Sequence, residues 1–110
     1  MKMSEKEIND MKSLILEFLD AFVDVAAEKG EKTVMIPPLN LNIDYEKTED
    51  NKEEITNLIT DLKNNYKKDG YILDKCIISN GINNGPNQLS LPTIHFSATA
   101  VKLEDDNIDK

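Results

Sequence analysis

Apolar residues recur every three or four positions near the start of the chain, so they share one face of a helix. On a helical projection they cover an arc of roughly 140°. Ser4 and Glu7 have the spacing of a capping box, and Gly30 suits the left-handed position after the last turn. The pattern predicts a helix over 4–29, whose buried face is expected to hold Ile8, Met11, Leu14, Ile15, Phe18, Leu19, Phe22, Val25 and Ala26.

Two strand-like runs follow this helix. Residues 32–36 form a β-rich run that ends at Pro37 and Pro38, and residues 39–45 alternate strictly between apolar and polar side chains. Because proline cannot donate to a sheet ladder, the two prolines either turn the chain between two strands or place a bulge within one longer edge strand. We expect two short strands, with the single bulged strand as the alternative.

A second amphipathic helix is predicted after the polar stretch 46–51. Its apolar stripe runs from Ile55 to Tyr66, with acidic residues crowded at its start and lysines at its end. That charge placement complements the helix dipole, and it is worth about 0.3–1 kcal/mol for each well-placed charge. Gly70 is expected to end this helix.

Two further strands are predicted at 71–79 and 93–103. In the second of these, alternate apolar residues from Ile94 to Ala100 share one face. The resulting order α-β-β-α-β-β predicts an α+β fold. We expect a two-layer sandwich in which a mainly antiparallel sheet packs two helices on one face.

The length and composition fit a single domain with a hydrophobic core. The chain has 110 residues, of which 39% are hydrophobic, and a compact domain typically has about 100–150. We expect one α+β domain over 1–103 and a flexible acidic tail over 104–110. No apolar run approaches the roughly 20 residues that span a bilayer, so the expected location is cytoplasmic.

The charge balance excludes several classes of partner. The chain has 21 acidic residues and 13 basic ones, its net charge is −8, and every basic residue is a lysine. The lack of arginine excludes bidentate guanidinium recognition, and an acidic chain is repelled by nucleic acid and anionic membranes. The single Cys76 excludes an internal disulfide, and no metal-binding motif is present. We therefore expect no direct nucleic-acid or membrane partner, no cofactor and no metal.

Acidic residues form a stripe on the first predicted helix, away from its apolar face. They lie within an arc of roughly 80°, and no lysine between Asp10 and Glu28 lies within that arc. Neighbouring carboxylates at i,i+4 weaken a helix by a few tenths of a kcal/mol, so this stripe works against the stability of its own helix. It is either a solvated face or a docking surface for a basic partner. We call it the acidic stripe, and it comprises Asp10, Glu17, Asp20, Asp24 and Glu28.

A long polar connection over 80–92 separates the last two predicted strands. Connections beyond about 12–15 residues are uncommon in compact domains and are often functional. Amide side chains recognise hydrogen-bonding ligands without charge, although a plain hairpin connection is the better explanation of the segment. The candidate ligand or partner residues in it are Asn80, Asn83, Asn84, Asn87 and Gln88.

Two further features have ordinary explanations. Cys76 and His95 lie on the last two predicted strands, where they are possible neighbours across the pairing, but nothing in their spacing demands a catalytic pair. Apolar residues of the first helix from Ile8 to Val25 also have the spacing of a coiled-coil seam, which favours a homodimer as much as burial against the chain's own sheet.

The sequence alone favours a small acidic interaction protein without enzymatic activity. In this hypothesis the acidic stripe covers a basic surface on a macromolecular partner, and a phage or mobile-element inhibitor or accessory factor suits the size and composition. The first alternative is a small-molecule or nucleotide-metabolite binding protein that uses the 80–92 connection and the Cys76/His95 sheet face. The second alternative is an oligomeric structural or assembly component. No family motif is present in the chain.

Overall fold

The computed structural model describes residues 2–81 and 93–103, which form three helices and one three-stranded antiparallel sheet. The α+β content is as predicted, but the element order is α-β-α-α-β-β. The tail predicted over 104–110 lies outside the described residues. In chain order the elements are α1 (Glu5–Lys29), β1 (Thr33–Asp44), α2 (Tyr45–Asp50), α3 (Lys52–Asn65), β2 (Tyr71–Gly81) and β3 (Thr93–Lys102).

Helix α1 begins and ends as predicted. The Ser4 hydroxyl accepts a hydrogen bond from the amide of Glu7, and the Glu7 carboxylate accepts one from the amide of Ser4, which completes the capping box. Gly30 follows the last turn with φ of 70°, a left-handed conformation that suits glycine.

The buried face of α1 is rotated relative to the predicted one. Val23, which the predicted face omits, is fully buried, whereas Leu14 and Val25 are 41% and 49% exposed. The prediction places the centre of the buried face at the middle of the arc that all the apolar side chains cover. In the structure, however, one flank of that apolar arc extends past the core, so part of it stays in solvent.

The two strands predicted around Pro37 and Pro38 are one strand, β1, which corrects the predicted element order. Ile36 pairs with Ala98 and Leu39 with Phe96, so one extra residue of β1 is accommodated at the two prolines as a β-bulge. A second irregularity lies between Asn40 and Asp44. The bulge at the prolines lets apolar side chains on both sides of it face the core without a turn.

The prediction that Gly70 ends the second helix is wrong. Helix α3 ends at Asn65, and Tyr66 is its C-cap in extended conformation. Gly70, with φ of 84°, instead belongs to a tight turn in which the amide and carbonyl of Lys68 exchange hydrogen bonds with Tyr71. This turn leads directly into β2.

The segment before α3 is more ordered than its polar sequence suggested. Asp44 caps the short helix α2 by accepting a hydrogen bond from the amide of Lys47 at 2.7 Å. Asn51, between α2 and α3, is fully buried, and its amide group donates to the carbonyl of Lys47 and accepts from the amide of Met3. Asn51 therefore joins the N-terminal segment to the junction of the two helices.

The sheet has the strand order β1-β3-β2, and both pairings are antiparallel. The central strand β3 alternates as predicted: Ile94, Phe96, Ala98 and Ala100 are buried, and the residues between them are partly exposed. Helix α1 packs against β1, and α3 packs against β2. The buried side chains of these elements form one hydrophobic cluster. Within the described parts of the chain, no helix is long and apolar enough to cross a membrane.

Candidate functional site

The acidic stripe lies on the outer side of α1, opposite the buried residues of that helix. Asp10, Glu17, Asp24 and Glu28 are exposed, and Asp20 is partly buried. Asp10 and Glu28 are 18 positions apart, which corresponds to about 27 Å along the helix axis. The stripe is therefore a linear array of carboxylates that spans most of the helix.

Three of the five carboxylates contact groups of the same chain. Asp10 forms an ion pair with Lys6 at 2.8 Å, one turn earlier on α1. Asp24 forms an ion pair with Lys68 at 3.1 Å, and Asp20 accepts a hydrogen bond from the Tyr66 hydroxyl at 2.8 Å. The last two contacts join α1 to the segment that follows α3.

These contacts change the ionisation of the partner groups. The hydrogen bonds to Asp10 and Asp24 raise the pKa of Lys6 and Lys68, so both lysines hold their charge more firmly than usual. Burial raises the pKa of the Tyr66 hydroxyl well above its usual range, and the hydrogen bond to Asp20 adds to the shift. Tyr66 therefore stays neutral and donates to Asp20 at any ordinary pH.

Glu17 and Glu28 differ from the other members of the stripe. Both are exposed, and neither forms an ion pair with another residue in the described ranges 2–81 and 93–103. With Lys6 and Lys68 included, the stripe still has more carboxylates than cations. Sequence reasoning found the acids but missed Tyr66 and Lys68, because these residues lie more than forty positions away from their partners.

Most of the candidate residues in the 80–92 connection are outside the described residues. Asn83, Asn84, Asn87 and Gln88 belong to this group. Asn80 is described only by its backbone, which pairs with Ile94 at the end of the β2–β3 hairpin. These residues remain predictions from the sequence.

Cys76 and His95 lie on opposite faces of the sheet, which corrects the expectation of a shared pocket face. Cys76 pairs with Ala98, a core residue, whereas His95 pairs with Ser79 and Asn40 on the other face. Burial also raises the pKa of the Cys76 thiol, which lowers its thiolate fraction. The two side chains therefore do not form a nucleophile–base pair.

The residues that the structure describes contain no metal-binding cluster, that is, no group of three or more His, Cys, Asp or Glu side chains that could hold a metal ion. The acids of the stripe are accordingly spread along α1 rather than gathered around one point.

Two concave regions lie outside the acidic stripe. The first, of about 390 Å³, is bounded by α2, α3 and the sheet; its lining includes Tyr45, Thr48, Thr56, Ile59 and Ile78. Volumes of about 300–1,000 Å³ are typical of small-molecule sites.

The second is a groove of about 460 Å³ across the sheet face opposite the core. Met35 and the two prolines of β1 form one side of this groove, and Lys75 and Ile77 of β2 form the other. Ser97 and Thr99 of β3 contribute to its floor.

Comparison of the chain with protein-family profiles, with curated proteins and with solved structures gives no match.

Proposed function

We propose that this protein is a non-enzymatic interaction protein that docks a basic surface of a macromolecular partner through the acidic stripe of α1. The observation that carries the proposal is the exposure of Glu17, Asp24 and Glu28 along one side of the helix, with an excess of carboxylates after internal ion pairing. Such an array attracts a Lys- or Arg-lined surface over about a Debye length, roughly 8 Å at physiological salt.

The cost of the stripe to its own helix supports this proposal. Asp20–Asp24 and Asp24–Glu28 are like-charged pairs at i,i+4, each unfavourable by a few tenths of a kcal/mol. Glu28 also lies in the last turn, where the helix dipole favours cations. Contacts with Tyr66 and Lys68 offset the cost at Asp20 and Asp24. Glu28 forms no ion pair within the described residues, and a face that only kept the protein soluble would not need an acid at that position. An inhibitor or accessory factor of phage or mobile-element origin, acting in the cytoplasm, fits this mode of action.

The proposal assumes a two-layer arrangement, with α1 and α3 on the core face of the sheet. The packing of α1 against β1 and of α3 against β2 supports this arrangement, as does the alternation of burial along β3. It leaves the acidic stripe on the outer surface of the helices, where a partner can reach it.

Charge reversal at the two unpaired acids tests the proposal. Glu17→Lys/Glu28→Lys leaves the contacts of Asp20 and Asp24 intact, so the fold is expected to persist. Wild type and variant are immobilised, and proteins of the cells that encode the chain are captured on each. We expect at least one protein to be captured by wild type and lost with the variant. Its binding to purified wild type is expected to weaken as salt rises from about 0.05 to 0.5 M.

The matched control is Glu46→Lys/Glu53→Lys, which changes the net charge by the same amount at exposed positions outside the stripe. Far-UV circular dichroism and thermal melts check that both variants are folded. Undiminished capture by the stripe variant contradicts the proposal, because the stripe then does not govern binding. An equal loss with both variants also contradicts it, because net charge rather than the stripe would then govern binding.

The cavity between α2, α3 and the sheet favours a second candidate function, the binding of a small uncharged ligand. Its apolar wall and the hydroxyl groups of Thr48, Thr56, Thr60 and Tyr45 suit such a ligand. Glu49 and Lys52 also line the cavity, and their opposite charges leave it without a net charge. A thermal-shift screen with a metabolite panel tests it, with Thr60→Trp to block the cavity and Asn64→Trp as the exposed control. A hit that persists in Thr60→Trp contradicts this assignment.

A further inference from the structure

The sheet face opposite the core has no covering layer in the described chain. We call this surface the open face; its central strand presents His95, Ser97 and Thr99, and its edge strands contribute Met35, Lys75 and Ile77. Met35 is 81% exposed and Ile77 is 53% exposed. We propose that the open face binds the open face of a second copy of this chain, giving a symmetric dimer.

The open face is poor in charge, although the protein as a whole is rich in it. Charged residues make up 31% of the chain, yet Lys75 is the one charged residue among the described residues lining the groove, and no carboxylate is among them. Depletion of charge with exposed apolar side chains is typical of the core of an interface. Lys75 lies on an edge strand, where its ammonium group reaches solvent at the rim.

The groove and its flanking side chains are suited to self-association. A twofold axis parallel to β3 lays β1 of one copy over β2 of the other. Met35 of each copy then approaches Lys75 of the other copy, because both pair with Thr99, and Ile77 lies two residues further along β2. Methionine is flexible and fills irregular apolar gaps. In a twofold interface the same surface of each copy supplies both the projecting side chain and the recess that receives it. The open face has both, with Met35 as the projecting side chain and the groove as the recess.

The area of the open face lies at the lower limit for a specific interface. A strand of 10 residues, such as β3, spans about 33 Å, and three strands are about 14 Å wide. The flat footprint is therefore about 450 Å² for each copy, and about 1,000 Å² for both once side-chain relief is included, which is the lower bound for a specific interface.

The charge distribution favours this face over α1 as the dimer contact. In such a dimer the two sheets stack about 10 Å apart and the helices lie on the outside, in the order helix, sheet, sheet, helix. With about 10 Å between successive layers, the acidic stripes of the two copies are about 30 Å apart, well beyond the Debye length. Pairing through the exposed Leu14 and Val25 of α1 brings the two stripes within about one helix diameter, 10 Å, where they repel. Pairing through the edge of β1 is opposed by Pro37 and Pro38, which lack amide donors.

Sedimentation velocity over about 1–100 µM tests the dimer, because interfaces of this size dissociate at micromolar concentrations or below. We expect wild type to reach twice the chain mass of 12.4 kDa. Ile77→Glu buries a charge in the interface, and we expect it to raise the dissociation constant at least tenfold. The matched control is Val25→Glu, at a position of similar exposure on α1, and we expect it to leave the dissociation constant within twofold of wild type.

A second measurement does not depend on the folding of Ile77→Glu. Ser97→Cys in a Cys76→Ala background places one thiol at the centre of the open face. The two thiols of a dimer face each other across sheets about 10 Å apart, too far for a disulfide, so we expect a short bis-maleimide linker to join the two copies covalently. Glu17→Cys in the same background is expected to stay uncrosslinked. A monomeric wild type across the concentration range overturns the proposal, since the open face is then solvated or reserved for another protein. Dissociation by Val25→Glu but not by Ile77→Glu also overturns it, because it places the contact on α1.

Discussion

At the residue scale, Tyr66 is the side chain that most tightly links the core to the acidic stripe. Its ring is buried at the end of α3, and its hydroxyl donates to Asp20. The amphipathic spacing of α3 predicted that the ring would be buried. It contained no information on the hydroxyl's partner, because that contact depends on how α1 and α3 cross.

Tyr66→Phe is expected to lower the free energy of unfolding by about 1–2 kcal/mol at pH 7, because a hydrogen bond to a carboxylate is lost. The pKa of Tyr66 is raised in the folded state, so its contribution is fully present below the unfolded value of about 10 and decreases as pH rises above it. The wild-type stability should therefore fall above pH 10, and that of Tyr66→Phe should fall less.

Urea denaturation at pH 7, 9 and 11 measures both effects. Tyr45→Phe is the matched control, because Tyr45 is 48% exposed. If the two variants lose stability equally at pH 7, the bond to Asp20 does not stabilise the fold.

At the scale of elements, the chain signals local features more clearly than long-range ones. The bounds of α1 could be predicted because Ser4, Glu7 and Gly30 act locally, within one turn of the helix end. The path of β1 could not, because a proline pair produces the same apolar pattern in a turn as in a bulge. The pairing of β1 with β3 joins segments about sixty residues apart, and no local pattern specifies such a neighbour.

The candidate site was predictable to a similar extent. Periodicity placed the acidic stripe correctly on the solvent side of α1. It did not show that Lys68 and Tyr66 contact the stripe, since those contacts depend on how α1 and α3 cross and on where the chain leaves α3. Nor could the sequence assign Cys76 and His95 to opposite faces of the sheet. A register shift between Leu73 and Lys75 changes which residues of β2 face the core, and the alternation of the sequence does not reveal it.

Ser4→Ala is expected to lower the free energy of unfolding by about 0.5–2 kcal/mol, because the amide of Glu7 loses its acceptor at the helix start. Ser13→Ala, at an exposed position within α1, is the control and should change stability by less than about 0.5 kcal/mol. Urea denaturation of both variants at pH 7 compares them. An equal effect of the two substitutions would show that helix propensity outweighs the cap.

At the scale of the whole molecule, three ion pairs connect the N-terminal part of the chain to α2 and α3. Each has a donor–acceptor distance of 3.0 Å. The Ser4 amide and Lys47 lower the pKa of Glu7, Lys2 lowers that of Glu54, and Lys12 lowers that of Asp61. The pairs are Lys2–Glu54, Lys12–Asp61 and Lys47–Glu7.

A carboxyl group with a lowered pKa stabilises the fold above its unfolded pKa, about 4, and loses that contribution as pH falls through the folded value. We therefore expect the unfolding free energy to be nearly constant from pH 8 to 6 and to fall below about pH 4. Glu7→Gln/Glu54→Gln/Asp61→Asn should show a shallower fall between pH 5 and 3 in urea titrations. Glu46→Gln/Glu53→Gln, which removes two exposed acids that are not part of these three ion pairs, should follow the wild-type profile.

The ion pair between Asp24 and Lys68 makes the chain a competitor for its own acidic stripe. A cation from a partner that binds Asp24 has to displace an ammonium group held at 3.1 Å and supplied at a high local concentration. A single lysine of a partner gains little binding free energy from this exchange, because it replaces one ion pair with another. A partner that also contacts Glu17 and Glu28 gains ion pairs for which Lys68 does not compete. If the stripe docks a basic partner as proposed, Lys68 therefore favours ordered arrays of positive charge over isolated ones.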